Sequence, residues 1–457
     1  MLDERDALLS NAATRARAYL TTLGDRSVAA LPADRARLAE LNTPFPARST
    51  SPAIVLEQLD RLGSPATTAI AGGRFFGYVC GGTLPAALAA SWLAAAWDQD
   101  AGMSSVCPIN ATVEEVVRRW LIDLFGLPPE TGVGFVTGGT MANFSALAAA
   151  RHHVLSQVGW DVERDGLFGA PPVSVYVSDE VHVSVIKALG MLGFGRERVT
   201  RLPVDDQGRI LASNLPMMLG PSIVCTQVGN VNTGASDPVA AICDWAHEAG
   251  AWVHVDGAFG LWAAASPSHK HLVDGVSRAD SWATDAHKWL NVPYDSGIAL
   301  VRNSETLRAA MAATAAYLET TSFREPDQFT PEMSRRARGI EVWAALASLG
   351  RSGLQDLIDR TCNYAVRFAS GLRDAGCDIL NDVELNQVLV SFGSPEVTRQ
   401  VIADLQSDGT CWCGGTVWQG RTAMRISVSS WATSEQDVAI SLDAVLRIAA
   451  RVRQEAG

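Results

Sequence analysis

The run Asp285-Ala286-His287-Lys288-Trp289-Leu290 follows a short apolar strand expected at 281–284 and sets a lysine against tryptophan and leucine. Lysine is seldom placed between a strand end and an aromatic-aliphatic run. A desolvated lysine loses its proton readily and becomes a nucleophile able to form a Schiff base. The chain has 37 basic side chains, and only Lys187, Lys270 and Lys288 are lysines. Lys187 falls within a helix expected at 183–192, beside Ala188 and Leu189. Lys270 sits in the polar run Ser268-His269-Lys270-His271. Solvated or snorkelling roles suit both. Chemistry that needs an amine therefore falls on Lys288.

Outward from this run the pattern is one of alternation. Strands are expected at 132–136, 173–177, 222–228, 251–255 and 281–284. Helices are expected at 113–125, 143–155, 183–192 and 238–249. Short apolar strands alternating with helices imply an α/β fold with a largely parallel sheet flanked by helices. Beyond about residue 350 the texture changes. A long helix at 354–375 precedes strands at 385–392 and 423–428 and helices at 395–406 and 434–453, which reads as a smaller α+β domain. The expected division is an N-terminal helical segment at 1–72, a large domain at 73–350 and a small C-terminal domain at 351–457.

In an open α/β sheet, ligands bind beyond the carboxyl ends of the strands. Four such ends carry chemistry. Thr137-Gly138-Gly139-Thr140-Met141-Ala142-Asn143 is a glycine-rich turn opening a helix, which can cradle a phosphate; it is neither a dinucleotide nor an NTP loop. Ser178-Asp179-Glu180-Val181-His182 opens the next helix, where a lone histidine is usually a cap or a core residue. Asp256, after Trp252-Val253-His254-Val255, must be paired or aimed at a cationic nitrogen, because burying a lone carboxylate is costly. Lys288 is the fourth. A phosphate turn, a flat side chain, an acid and an amine are what pyridoxal 5′-phosphate requires. Each part alone is a weak signal; the four in this order are a strong one.

The composition excludes other classes. A net charge of −12 argues against nucleic-acid binding. No basic stretch followed by an apolar run opens the chain, and the apolar stretch at 84–97 is too short for a bilayer. The eight scattered cysteines are no disulfide framework, and Cys411-Trp412-Cys413 has the wrong spacing for a zinc knuckle, so no metal is expected. The expectation is a reduced, cytoplasmic protein without nucleic-acid or membrane partners.

These motifs resemble the fold-type I, group II pyridoxal-phosphate-dependent amino-acid decarboxylases, which include the aromatic-amino-acid, tyrosine, histidine and glutamate enzymes. Arg74-Phe75-Phe76-Gly77-Tyr78-Val79 looks like the family's pocket mouth. The stretch at 105–121, with Pro108 and Glu114, looks like its next segment. Thr137 to Asn143 looks like the phosphate loop, Ser178 to Ser184 the ring-stacking histidine motif, His254-Val255-Asp256-Gly257-Ala258 the pyridine-nitrogen strand, and Asp285 to Leu290 the Schiff-base motif. The likeness covers roughly residues 70–430.

The resemblance implies an aspartate-aminotransferase-like fold and decarboxylation of an L-amino acid to its amine. The implied catalytic residues are Lys288, Asp256, His182 and Tyr317. The implied cofactor contacts are Gly138, Gly139, Thr140, Met141, His182, Asp256, Ala258, Asp285, His287 and Lys288. Phe76, Tyr78 and Arg425 are the implied substrate contacts. Tyr317, 29 residues beyond Lys288, looks like the family's loop tyrosine that protonates Cα; related aldehyde synthases carry phenylalanine there. A homodimer with shared sites is also implied. The chain departs from the family pattern at Gly229-Asn230-Val231, where Gly-Thr-Thr is frequent, at Thr140-Met141, where a serine is common, and at Asp285, where some members carry asparagine. Gly257 and Phe259 differ from the aromatic-specific pocket pattern, which leaves the substrate open. The alternatives are an aldehyde synthase or aminotransferase on the same fold, or a catalytically weak cofactor-binding homologue.

Overall fold

The computed structural model describes residues 2–313 and 324–456. Its centre is a seven-stranded sheet of β1 (Gly132–Val136), β2 (Ser174–Ser178), β3 (Val199–Leu202), β4 (Ser222–Gln227), β5 (Trp252–Asp256), β6 (Ser281–Asp285) and β7 (Gly297–Val301). The spatial order is β1-β7-β6-β5-β4-β2-β3. Only β7 runs against the others. Strands β1, β4, β5, β6 and β7 are buried throughout. Continuous apolar strands of this kind need cover on both faces.

Helices α1 (Leu2–Thr21), α2 (Pro32–Arg37) and α3 (Pro52–Ala66) come first, then α4 (Pro85–Trp97) and α5 (Pro108–Phe125). After β1 come α6 (Gly139–Ser156) and α7 (Val162–Asp165). Next are α8 (Val183–Met191), α9 (Val239–Glu248), α10 (Ser304–Met311) and α11 (Gly339–Asp374). Residues of α6, α8 and α10 pack with Val175, Val177, Ile223 and Trp252 on one face. Residues of α5, α9 and α11 pack with Tyr176, Val224, Val253 and Val255 on the other. Because side chains alternate along a strand, Trp252, His254 and Asp256 share the α6 face of β5.

A second sheet, in the order β10-β11-β9-β8, is antiparallel throughout. It comprises β8 (Asp378–Ile379), β9 (Gln387–Ser391), β10 (Gly414–Trp418) and β11 (Arg421–Ser427), covered by α12 (Pro395–Asp408), α13 (Glu435–Ala456) and the end of α11. The expected elements are thus present, with ends shifted by a few residues. β3, β7, β8, β10, α4, α7 and α10 were not foreseen. β3 is a four-residue edge strand with an exposed middle, so it offers no apolar run to read. The helix expected to begin at 354 continues one that starts at Gly339, broken at Gly350, whose φ of 58° lies in the left-handed region.

One close approach positions the site. A Cβ added to Gly297 would lie 2.4 Å from the Gly138 Cα. The turn after β1 and the start of β7 therefore pack backbone to backbone, which only glycine permits. Among the described residues no helix is long and apolar enough to cross a membrane, and no cluster of three His, Cys, Asp or Glu could hold a metal. All eight cysteines are buried and unpaired.

Candidate active site

The carboxyl ends of β1, β2, β5 and β6 lie at one edge of the sheet, and a cavity of about 290 Å³ opens there. Gly138, Gly139, Thr140, Met141, His182, Ala258, Asp285, His287 and Lys288 all line it, with Thr137 and Ser184. Asp256 is tied to that wall. Its Oδ1 accepts from the Ala258 amide at 3.2 Å and its Oδ2 from Asn143 Nδ2 at 3.2 Å.

Lys288 lies in the connection that reverses the chain from β6 to β7. The fold holds this connection firmly. The Ala286 and His287 amides donate to the Ser296 carbonyl, Trp262 Nε1 donates to the Asp285 carbonyl, and Trp289 Nε1 donates to Thr361 Oγ1 on α11. Lys288 Nζ lies 2.9 Å from Asp285 Oδ2. The expectation of a readily deprotonated lysine fails in this structure. Burial pushes the ammonium towards neutrality, but Asp285, aided by Asp256, outweighs burial and the net shift is upward. The paired carboxylate therefore keeps the proton on Nζ, and the burial argument alone had the wrong sign.

Both histidines at the cavity have a defined proton. His182 caps α8: its Nδ1 accepts from the Ser184 amide at 3.2 Å. His287 Nδ1 accepts from the Ser296 amide at 3.1 Å. Burial pushes both below the ordinary histidine value. A neutral ring whose Nδ1 accepts must carry its proton on Nε2. The cap role weighed for His182 and its place in the site are therefore both real.

A model of the pyridoxal-dependent decarboxylase conserved domain matches residues 35–394. The chain belongs to this family. It is 30% identical over 339 residues to the human cysteine sulfinic acid decarboxylase, covering 71% of this chain and 68% of that one. It is 29% identical over 354 residues to an aromatic-L-amino-acid decarboxylase of Bacillus atrophaeus, 72% of each. With tryptophan decarboxylase 1 of Oryza sativa subsp. japonica it shares 27% identity over 443 residues, 87% and 84% of the two. The crystal structure of Oryza sativa TDC with PLP and tryptamine superposes with a TM-score of 0.90 at 22% identity, covering 99% of this chain and 98% of that one. That of apo mouse CSAD gives 0.89 at 22%, covering 98% and 99%. Those two likenesses show the fold. Family membership carries the class: a pyridoxal-phosphate-dependent carboxy-lyase.

The residues of this decarboxylase fit the cofactor. The cavity begins at the N-terminus of α6, where the helix dipole favours an anion. A Cβ on Gly139 would lie 2.8 Å from Asp285 Oδ2, and one on Gly138 would lie 3.0 Å from His287 Cε1. The turn is thus a bare-backbone cradle. Asp285 Oδ1 is buried without a hydrogen-bond partner among the described residues, so the site holds unspent acceptor capacity beside the amine.

The substrate expectations divide. Phe76 is not at the cavity: it is 1% exposed and packs edge-on to Phe368 in the core beneath the second sheet. Its apolar bulk marked it equally well for core or pocket. Its neighbour Tyr78 is 64% exposed and stacks on Trp412. Arg425, on β11, donates to Asn232 Oδ1 at 3.4 Å and has no ion-pair partner among the described residues. Burial pulls its pKa down. Tyr317 lies outside the described residues.

Sequence reasoning passed over Asn143, Ser184 and His254 as individual side chains. Asn143 and His254 are both 0% exposed. The available signal was the alternation along β5, which puts a second titratable group on the face of Asp256. Burial drives the pKa of His254 down from 6.5 to about 3. The unfolded chain takes up a proton below about 6.5 that the native protein refuses until about 3. Stability from this group is complete above 6.5 and drains as pH falls, at up to about 1.4 kcal/mol per pH unit. Urea unfolding between pH 7.5 and 4.5 is expected to show a shallower acid loss in His254→Gln than in the parent. Equal slopes would mean that His254 does not exchange a proton on unfolding.

Proposed function

We propose that this enzyme converts an L-amino acid to the corresponding amine and carbon dioxide, with Lys288 as the covalent anchor of its cofactor. The carrying observation is the meeting of the glycine turn, His182, Asp256 and the Lys288–Asp285 pair around one cavity. Pyridoxal 5′-phosphate supplies an aldehyde that condenses with amines and a ring that accepts the electron pair left at Cα when carbon dioxide departs.

The chain's own groups would do the rest. The α6 N-terminus and the Nε2–H of His287 would hold the phosphate. The Asp256 carboxylate would accept a hydrogen bond from the pyridinium N–H, holding the proton and its positive charge on the ring where electrons must flow. Lys288 Nζ must shed a proton before it can bond to the aldehyde, against the hold of Asp285 Oδ2 at 2.9 Å. His182 would stack on the ring with its proton on Nε2. Tyr317 would return a proton to Cα, a role that rests on its spacing from Lys288. Tyr78 would wall the substrate side chain, and Arg425 would meet a substrate carboxylate.

The test is the product. The purified protein, loaded with cofactor and offered a panel of aromatic and acidic L-amino acids, should release carbon dioxide and a primary amine from one of them. Aldehyde with ammonia and peroxide would favour the oxidative reading, and transfer of the amino group to a keto acid an aminotransferase. Tyr317→Phe is expected to slow amine formation by roughly 10²-fold or more and to raise the aldehyde share, measured by chromatography. Unchanged amine output would remove Tyr317 from the chemistry.

A homodimer accords with the apolar surface of α4, the start of α5 and the connection between them, where Trp92, Leu93, Trp97, Val106 and Ile109 are each 44–55% exposed. A reducing, cytoplasmic setting fits eight unpaired cysteines. The proposed boundary between the large and small domains near residue 350 is supported by the break at Gly350.

A further inference from the structure

We propose that Asn143, aimed by His254, is a positioning residue of the reacting site: it aligns Asp256 and ties it to His182 through Ser184. The assignment rests on the decarboxylation reading above, since Asp256 and His182 are its beneficiaries.

Hydrogen-bond direction fixes the role of each group. Trp252 Nε1 lies 2.8 Å from Ser281 Oγ, and an indole N–H can only donate. Ser281 Oγ lies 2.9 Å from His254 Nδ1, and His254 Nε2 lies 2.9 Å from Asn143 Oδ1. Asn143 Nδ2 reaches Asp256 Oδ2 at 3.2 Å and Ser184 Oγ at 3.1 Å. Ser184 Oγ lies 2.7 Å from His182 Nδ1. The carboxylate of Asp256 offers only acceptors, so the amide of Asn143 must turn its nitrogen to it. Asn143 Oδ1 then faces His254 and requires a proton on Nε2. A neutral His254 must therefore accept at Nδ1, which the Ser281 hydroxyl supplies. On the other branch, Ser184 Oγ accepts from Asn143 and donates its O–H to His182 Nδ1, which also accepts from the Ser184 amide. Every donor in the set has one acceptor direction, and the whole has a single consistent polarity.

Burial gives the set its force. Asn143, His254 and Ser281 are each 0% exposed. In such surroundings a reversed amide would leave donors facing donors, which is expensive. The backbone adds rigidity. His254 and Asp256 share one face of β5, Ser281 pairs with His254 in the parallel register of β6, and Asn143 stands in the opening turns of α6. The helix start that would cradle the phosphate thus also sets the ring's acid.

The experiment compares the parent with Asn143→Ala, His254→Leu and His254→Gln, each checked for native circular dichroism. In cofactor-free protein, histidine-selective ¹⁵N NMR should find His254 with its proton on Nε2, exchanging slowly; exchange should accelerate at least about tenfold in Asn143→Ala. Affinity for pyridoxal 5′-phosphate should fall roughly tenfold or more in Asn143→Ala and His254→Leu. In both, kcat should fall further than KM changes. His254→Gln keeps a donor towards Asn143 and should recover most of the His254→Leu loss, which a purely space-filling role would not produce. A proton on Nδ1 of His254, or a His254→Leu protein that binds cofactor and turns over like the parent, overturns the proposal. Failure of the parent itself to take up cofactor would sink the decarboxylation reading, and this role with it; uptake by the parent with unaltered variants sinks this role alone.

Discussion

Lys288→Ala is expected to lose turnover by on the order of 10³ or more and to bind pyridoxal 5′-phosphate without a covalent link. Borohydride treatment followed by peptide mapping should fix the cofactor on the Lys288 peptide of the parent and nowhere in the variant. Composition makes the experiment unusually clean: the other two lysines, Lys187 and Lys270, are both exposed. The substitution has a second effect that must be separated from the first. Asp285 is 1% exposed at its side chain and takes its ion pair from Lys288 at 2.9 Å, while its other oxygen has no hydrogen-bond partner among the described residues. Removing one member of a buried pair leaves an uncompensated charge, at a cost of roughly 3 kcal/mol. Lys288→Ala should therefore melt below the parent. Adding Asp285→Asn removes the stranded charge, so the double variant should regain much of that stability and none of the activity. If the double variant stays as unstable as the single one, the pair is not what holds the β6–β7 connection. Activity surviving in Lys288→Ala would end the covalent reading altogether.

Particular residues show what the sequence could and could not reveal. Four of the five strands expected in the large domain, β1, β4, β5 and β6, are buried throughout, because a strand covered on both faces must be apolar at nearly every position; β7 is as buried and was still missed. Strand β3 and the short β8 carry no such pattern and were invisible. Lys288, Asp256, His182 and the glycine turn were legible because strand ends concentrate function and each residue type answers one need of the cofactor. The charge state of Lys288 was not legible. Its sign depends on a carboxylate that is three residues away in sequence but brought to 2.9 Å by the tight connection, and burial read from neighbours alone predicts the opposite. Phe76 was misplaced for a related reason. In Phe75-Phe76-Gly77-Tyr78, three aromatics differ only in direction. Phe75 stacks on Trp412, Phe76 enters the core, and Tyr78, with a φ of 54°, turns outward. No periodicity announces a backbone that leaves the ordinary regions. The partner of Asp256 was hidden because Asn143 lies 113 residues from it, and His254 reaches it only through Asn143, which the packing of β5 under α6 brings between them.

Asp256→Asn should separate the acid's charge from its geometry. The amide can keep its oxygen towards Asn143 Nδ2, 3.2 Å away in the parent, and gives up only the hydrogen bond from the Ala258 N–H, so the fold should survive at a small cost in stability. What it cannot do is hold a proton on the pyridine nitrogen. If the ring's electron demand depends on that charge, kcat should fall on the order of 10²–10³, with KM changed far less, because the lost stabilisation develops only as the Cα–carboxylate bond breaks. Asp256→Ala should be worse in a distinguishable way. It strands the Asn143 amide and the Ala258 N–H, 3.2 Å from Asp256 Oδ1 in the parent, and each unsatisfied buried donor costs about 1–3 kcal/mol. Its thermal midpoint should therefore drop further than that of Asp256→Asn, which strands one donor rather than two. Steady-state kinetics beside thermal melts of both variants decide between the two roles. Equal kcat losses without the stability difference would show that Asp256 acts by charge alone. A fully active Asp256→Asn would show that the electron demand is met by some other group, and Asp256 would return to the structural role that a buried strand-end acid also allows.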